Sequence, residues 1–256
     1  MEPPRAAVFD LDGTLVDSIG ARALAWLEAL REAGYVGLRP QTILRLLGLA
    51  PEQVLALAVG LRPDGREGRA ILARRAAIFQ RNYLPGLRPF FHVRELLARC
   101  VADGITPVVA APEPAAEVDR LLEVAGLADL VRVRVSLADE VAFTPRPDAV
   151  RLALVRAGVP RQAALLLGDT PYDVEAGWNA GVGVVALRSG GWGELDLGGA
   201  LAVFGGPAHL LAEYAASPLG QLAVTGMVPL PAPARAAARR APRTPAARAT
   251  DTPQPA

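Results

Sequence analysis

The chain contains no lysine, so all 27 of its basic residues are arginine. Chemistry that requires an ε-amine is therefore closed to its own side chains. A single cysteine, Cys100, excludes an internal disulfide, and its helical setting reads as a buried structural thiol. Only two histidines occur, His92 and His209. They fall on separate helical stretches and read as surface residues rather than as a ligand pair. Long apolar runs are also missing. Val54 to Val59 and Ala163 to Leu167 are among the longest, against the roughly 20 residues a membrane helix needs. No basic-then-apolar leader precedes the first apolar run, so a cytoplasmic protein with no membrane partner is expected. The net charge of +1 gives no electrostatic case for nucleic acid.

What remains is a chain of 256 residues, 52% hydrophobic, enough for one good core and a smaller module. Near the amino terminus, Ala6 to Phe9 reads as a buried strand that ends in Asp10-Leu11-Asp12-Gly13-Thr14-Leu15-Val16-Asp17-Ser18. Ser18 is a plausible N-cap for a helix running to about Ala33. Two shorter helical patterns follow, near Gln41–Leu47 and Glu52–Val59, each introduced by a proline. A longer one spans roughly Glu67–Tyr83. Residues 17–85 thus read as an all-helical insert, with Val16–Asp17 and Pro85-Gly86 as its hinges.

From Phe90 onward the pattern alternates helix and strand. Strands are expected at Ile105–Ala111, Val131–Val135, Ala163–Leu167, Val182–Leu187 and Ala200–Phe204. Such alternation predicts an α/β fold, a doubly wound parallel sheet with helices on both faces, built from residues 1–16 and 86–220. Residues 221–256 read as a disordered tail. Its 229–256 stretch is nearly all Pro, Ala, Arg and Thr, and carries five arginines against Asp251, which leaves −3 on the rest.

The chemistry is expected at the carboxyl ends of the strands, where open α/β sheets hold their ligands. Asp10 and Asp12 leave the first strand two residues apart, and alternate residues of an extended segment point the same way. Such a pair suits a nucleophile with a proton-transfer group, or a hard-cation site. A bare Asp-x-Asp would be only a turn capping the next helix. Gly13, followed by Thr14, allows the backbone to approach a ligand closely. A second buried strand, Leu165 to Leu167, delivers Gly168-Asp169-Thr170-Pro171-Tyr172-Asp173 just before another helix.

The string Asp-x-Asp-Gly-Thr-Leu-Val-Asp-Ser, taken with Gly-Asp-x-x-x-Asp, resembles the first and fourth motifs of the haloacid dehalogenase superfamily. The resemblance covers about residues 6–216 and points to the phosphoglycolate phosphatase-like branch, with a Rossmannoid core and an inserted helical cap. It implies a magnesium-dependent phosphatase acting on a small phosphorylated metabolite. In that scheme Asp10 is the nucleophile and forms an aspartyl-phosphate, while Asp12 is the acid–base. Mg²⁺ is held by Asp10, the Asp12 backbone carbonyl and Asp169, with Asp173 orienting a metal-bound water. Gly13 and Thr14 lie on the substrate side. Trp192, in the glycine-rich run Leu187 to Trp192, is the candidate to line the pocket.

The two middle motifs depart from the family. The phosphoryl-binding Thr or Ser position is Ala111, and the motif lysine is replaced by Thr144 in Thr144-Pro145-Arg146-Pro147-Asp148. Losing a cation and a hydroxyl together is expected to slow phosphoryl transfer by about 10³–10⁵. Arg146, two residues beyond the lysine position, is the candidate substitute, weighed against a plain solvated arginine. The rival reading is a catalytically silent pseudophosphatase that binds a phosphorylated metabolite or a protein partner. No motif bears on oligomeric state.

Overall fold

The structure is a computed structural model that describes residues 4–136 and 145–228. Six short strands carry the most apolar runs: β1 (Arg5–Phe9), β2 (Ile105–Ala110), β3 (Val133–Val135), β4 (Ala164–Gly168), β5 (Gly183–Leu187) and β6 (Ala202–Phe204). They form one sheet in the order β3-β2-β1-β4-β5-β6, with every pairing parallel. β1, β4 and β5 are buried at every position, as strands covered on both faces must be. Pro107 is accommodated in β2 because β3 begins to pair only at Val108. The ladder on that side does not call on the missing N–H.

The strand order reverses between β1 and β4, and this switch point positions the chemistry. Phe9 lies opposite both Val109 and Leu167. The Asp10 N–H extends the ladder by donating to the Leu167 carbonyl at 2.8 Å. Asp10 and Asp169 therefore leave the sheet side by side.

The described residues divide into two compact units, one running to Ser18 and resuming at Leu87, the other spanning Ile19–Gly86. The second unit is helical: α1 (Ile19–Glu32), α2 (Pro40–Leu44), α3 (Pro51–Val59) and α4 (Arg66–Ile78). Trp26 and Phe79 are buried, and each carries a guanidinium over its ring, Arg75 at 5.4 Å and Arg22 at 3.8 Å. The helix expected over 67–83 changes pitch at Phe79, where a π turn (Phe79–Tyr83) and a 3₁₀ turn (Leu84–Gly86) end it. The boundary read at residue 17 also shifts slightly. Asp17 and Ser18 belong to the first unit, where Asp17 N–H donates to the Arg88 carbonyl and Phe90 N–H to that of Leu15. Entering and leaving chains are paired before they part.

Among the described residues, six further helices belong with the sheet: α5 (Val93–Ala102), α6 (Ala115–Val124), α7 (Asp148–Ala157), α8 (Pro171–Ala180), α9 (Pro207–Ala212) and α10 (Pro218–Thr225). Burial pushes the Cys100 thiol on α5 up to about 12, which leaves it protonated and unreactive at neutral pH.

α10 corrects the reading that folded structure ends near Gly220. Ser217 accepts from the Gly220 N–H as N-cap, Pro218 opens the first turn and Gly226 closes the helix in the left-handed region. Leu222 is fully buried, and Val228 is buried with its N–H donating to the Gln162 carbonyl. The helix end is held by Arg5, itself buried at the start of β1, whose guanidinium donates to the carbonyls of Leu222 and Ala223. A cation there also meets the negative end of the helix dipole. The rest of the expected tail, 229–256, lies outside the described residues.

If α10 is part of the core, Leu222→Ala should cost about 2–4 kcal/mol in urea unfolding, as truncation of a buried leucine does. A cost near zero would show α10 to be undocked.

Candidate active site

Three carboxylates meet where the register sends them. Oxygens of Asp10, Asp169 and Asp173 all lie within 4.8 Å of one another, with Asp10 half-buried and the other two buried. Asp10 arrives from β1 and Asp169 from β4. Asp173 comes from the first turn of α8, where it also serves a local purpose. Its carboxylate accepts from the Thr170 N–H at 2.9 Å and the Thr170 hydroxyl at 2.6 Å, while its own N–H donates back to that hydroxyl. This reciprocal cap satisfies the first turn and aims Asp173 at its neighbours.

Asp169 is held on one side only. Its Oδ1 accepts from the Thr14 hydroxyl at 2.9 Å, whereas its Oδ2 is buried with no hydrogen-bond partner. Gly13 is required beside it for two reasons. It turns the backbone at φ +77°, and a Cβ there would stand 2.4 Å from Asp169 Oδ2. At Gly168 a Cβ would likewise press on the Asp173 carboxylate at 2.4 Å.

The turn at residues 11–16 corrects the picture of two aspartates sharing a face of one extended segment. Val16 and Leu15 N–H both donate to the Leu11 carbonyl, and Gly13 N–H donates to that of Val16. The Asp12 side chain is accordingly not one of the three converging carboxylates. It accepts from the Ser18 hydroxyl instead. Ser18, read as a helix cap, thus has its hydroxyl directed at the acid–base candidate.

The electrostatics follow from burial. Desolvation first, then the charges of Asp173, Asp169, Asp12 and Glu113, hold the Asp10 carboxyl well above its usual range. Asp169 is raised in the same way by burial and by Asp173, against the pull of the Thr14 hydrogen bond. Burial pushes Asp173 up to about 6, although its hydrogen bonds to Thr170 oppose this. Repulsion of this kind is relieved by a divalent cation. The oxygen-only donor set and the unpartnered Asp169 Oδ2 fit Mg²⁺.

The other expected site residues are placed as follows. Ala111 follows β2 directly and is fully buried, its N–H donating to the Val135 carbonyl, so no hydroxyl stands at that strand end. Thr144 lies outside the described residues. Arg146 is exposed, and its Nε stands 3.5 Å from Asp148. That placement suits the solvated-arginine reading weighed for it. Trp192 is half-buried and packs edge-to-face on Tyr172, with ring centroids 6.2 Å apart. Both histidines are exposed beside glutamates, His92 near Glu95 and His209 near Glu213.

Four contributors escaped the sequence reading. Thr170 was legible in principle, because Thr-Pro-x-Asp is a capping-box pattern. Ser18 sits inside the quoted motif, but its partner is set by the turn. Ser189 stands in the glycine-rich run noticed for Trp192. Glu113, buried in the β2–α6 loop, has no local signal at all, and only the fold brings its charge to bear on Asp10.

A carboxyl raised in the folded state contributes stability below its unfolded pKa of about 4, and loses that contribution as pH climbs through the folded value. In chelator, Asp169→Asn should therefore melt progressively higher than wild type between about pH 4 and pH 7. Calorimetry that finds a constant gap across that range would mean that these carboxylates do not repel one another.

Comparison with known proteins agrees with this geometry. The profile of the haloacid dehalogenase-like hydrolases matches residues 7–187. The phosphoglycolate phosphatase of Rhodospirillum rubrum is 33% identical over 209 residues, covering 78% of this chain and 87% of that protein. The N-acetylmuramic acid 6-phosphate phosphatase of Pseudomonas aeruginosa is 27% identical, over 73% of this chain and 82% of its own length. Among solved structures, a hydrolase from Pseudomonas syringae superposes with a TM-score of 0.75 at 26% identity, over 82% of this chain and 97% of that one. The sheet order, the paired aspartate motifs and these matches lead to one conclusion: the chain belongs to the haloacid dehalogenase-like hydrolase family.

Proposed function

We propose that the protein is a magnesium-dependent phosphatase that cleaves a small phosphate monoester in the cytoplasm. The observation that carries this reading is the convergence of Asp10, Asp169 and Asp173 around the buried, unpartnered Asp169 Oδ2. The names of the relatives support the phosphate-ester class.

Asp10, Asp169, Asp173 and the Asp12 backbone carbonyl would hold the cation. When bound, it neutralises the acidic centre and charge on the phosphoryl oxygens. Asp10, ionised under those conditions, attacks phosphorus through a carboxylate oxygen. As the O–P bond to Asp10 forms, the ester P–O bond breaks, and Asp12 gives its proton to the departing alkoxide. The Ser18 hydroxyl holds the Asp12 side chain between steps. Asp12, now ionised, takes a proton from water as that water attacks the aspartyl-phosphate. Inorganic phosphate leaves, and both aspartates return to their starting states. Phosphoryl transfer of this kind rests on positioning and charge stabilisation.

The phosphate side is weaker than the metal side. Ala111 offers no hydroxyl, and Thr144 stands where the family has its lysine. Turnover is therefore slow and limited by charge stabilisation rather than by the nucleophile. Oxygens of the ester must find donors in backbone N–H groups of the β1 and β2 turns.

Two measurements check this. Wild type should hydrolyse members of a phosphate-ester panel only with Mg²⁺, and Asp10→Asn should abolish that turnover. The double substitution Ala111→Thr with Thr144→Lys should raise kcat on an aryl phosphate by about 10²–10⁴. That gain should vanish on adding Asp10→Asn. A double variant that binds Mg²⁺ yet gains nothing would refute the view that these two positions limit the rate.

A further inference from the structure

Among the described residues, the loop after β5 brings no carboxylate to the centre, yet its backbone lies against the atom that needs a ligand. β5 pairs with β4 so that Ala186 stands opposite Gly168, which brings the next residues alongside Asp169. Arg188–Gly190 forms a 3₁₀ turn there. A Cβ on Gly190 would fall 1.6 Å from Asp169 Oδ2, so the loop backbone rests directly against that oxygen. The residue before it, Ser189, donates its hydroxyl to the Gly13 carbonyl at 2.6 Å, across 176 residues of sequence.

We propose that Ser189 is a positioning residue for the acidic centre, acting through the Gly13 carbonyl. This rests on the hydrolase reading above. Gly13 stands between the two groups whose placement matters most on β1's side: the Asp12 carbonyl that precedes it and the Thr14 hydroxyl that holds Asp169 Oδ1. Its N–H is already fixed to the Val16 carbonyl at 2.9 Å. Ser189 fixes the other end of the same residue. Gly13 adopts φ +77° and has no side chain, so no packing of its own resists rotation of its peptide planes. One hydrogen bond thus sets two things together: the direction of the carbonyls in the Asp12–Thr14 turn, and the distance at which the Gly190 backbone closes over Asp169 Oδ2.

A serine that merely closed a surface loop would give the same hydrogen bond but a different response to its removal. Outer-shell partners of metal ligands typically cost about 10–100-fold in affinity or activity when removed. Ser189→Ala should raise the calorimetric Mg²⁺ dissociation constant at least about 10-fold and lower kcat by a similar factor. KM for an aryl phosphate and the metal-free melting temperature should stay nearly unchanged. Ser189→Thr, which keeps the hydroxyl, should restore metal affinity and kcat. If Ser189→Ala does not fold, Ser189→Cys replaces it, with a smaller loss in the same direction because its thiol is a weak donor. Equal Mg²⁺ affinity in wild type and Ser189→Ala overturns the proposal, whether or not either protein turns over an ester. A loss of melting temperature with metal affinity intact overturns it too. Failure of wild type to hydrolyse any ester while Ser189→Ala still weakens Mg²⁺ binding leaves the positioning role standing and overturns the hydrolase reading instead.

Discussion

Mutual repulsion among buried carboxylates is the constraint on which the rest of this structure depends. Three of them share a space less than 5 Å across at the switch point of the sheet, with Asp12 and Glu113 adding charge of the same sign. An arrangement of that kind lowers stability unless protons or a cation occupy it. It is held in place by strands that are buried and hydrogen-bonded in register. β1 and β4 are buried throughout and joined in register up to the Asp10 N–H itself. The core holds the acids together, and their oxygens form a cluster of the kind that suits a hard cation.

Most groups around the centre serve two purposes. Asp173 completes the cap of α8 and faces Asp10 and Asp169. Thr14 belongs to the turn after β1 and anchors Asp169, a residue of β4. Gly13 and Gly190 contribute the absence of a side chain, each giving up space that Asp169 Oδ2 occupies. Little slack remains in such a packing. A methyl group added at either glycine meets the carboxylate that the chemistry requires, so these positions are constrained by volume as much as by conformation.

The centre is lopsided. On one side Asp10, Asp169 and Asp173 converge, while at the end of β2 a buried alanine stands and the chain has no lysine to offer. Arginine abundance does not repair this. Arg146, the nearest candidate in sequence, sits at the surface beside Asp148. A guanidinium is also a broad, planar fork, whereas an ammonium is a compact point charge on a flexible stem, so the two do not substitute for one another in a small phosphoryl pocket. Catalytic power in a phosphoryl-transfer site is set by what stabilises charge on the transferring group.

Local chemistry determined much of this protein. Apolar runs of five or six residues alternating with amphipathic stretches specify parallel strands and covering helices, because only burial on both faces suits such strands. The two aspartate motifs could be recognised for the same reason: each is a strand end followed at once by a turn or cap, a short-range pattern. What the sequence could not specify were relations between residues far apart in the chain. The fold reads from sequence as ending near Gly220, whereas α10 continues to Thr225 and Arg5, more than 200 residues earlier, holds its end. The Asp12 side chain turned toward Ser18 because hydrogen bonds to the Leu11 carbonyl curl the backbone, which an extended-strand argument cannot anticipate. Glu113 and Ser189 gained their meaning only when β2 and β5 brought their loops to the ends of β1 and β4. Periodicity and capping act over a few residues and are written locally. Charge and hydrogen bonding across the switch point act over a few ångströms of space, and only the folded sheet decides which residues share them.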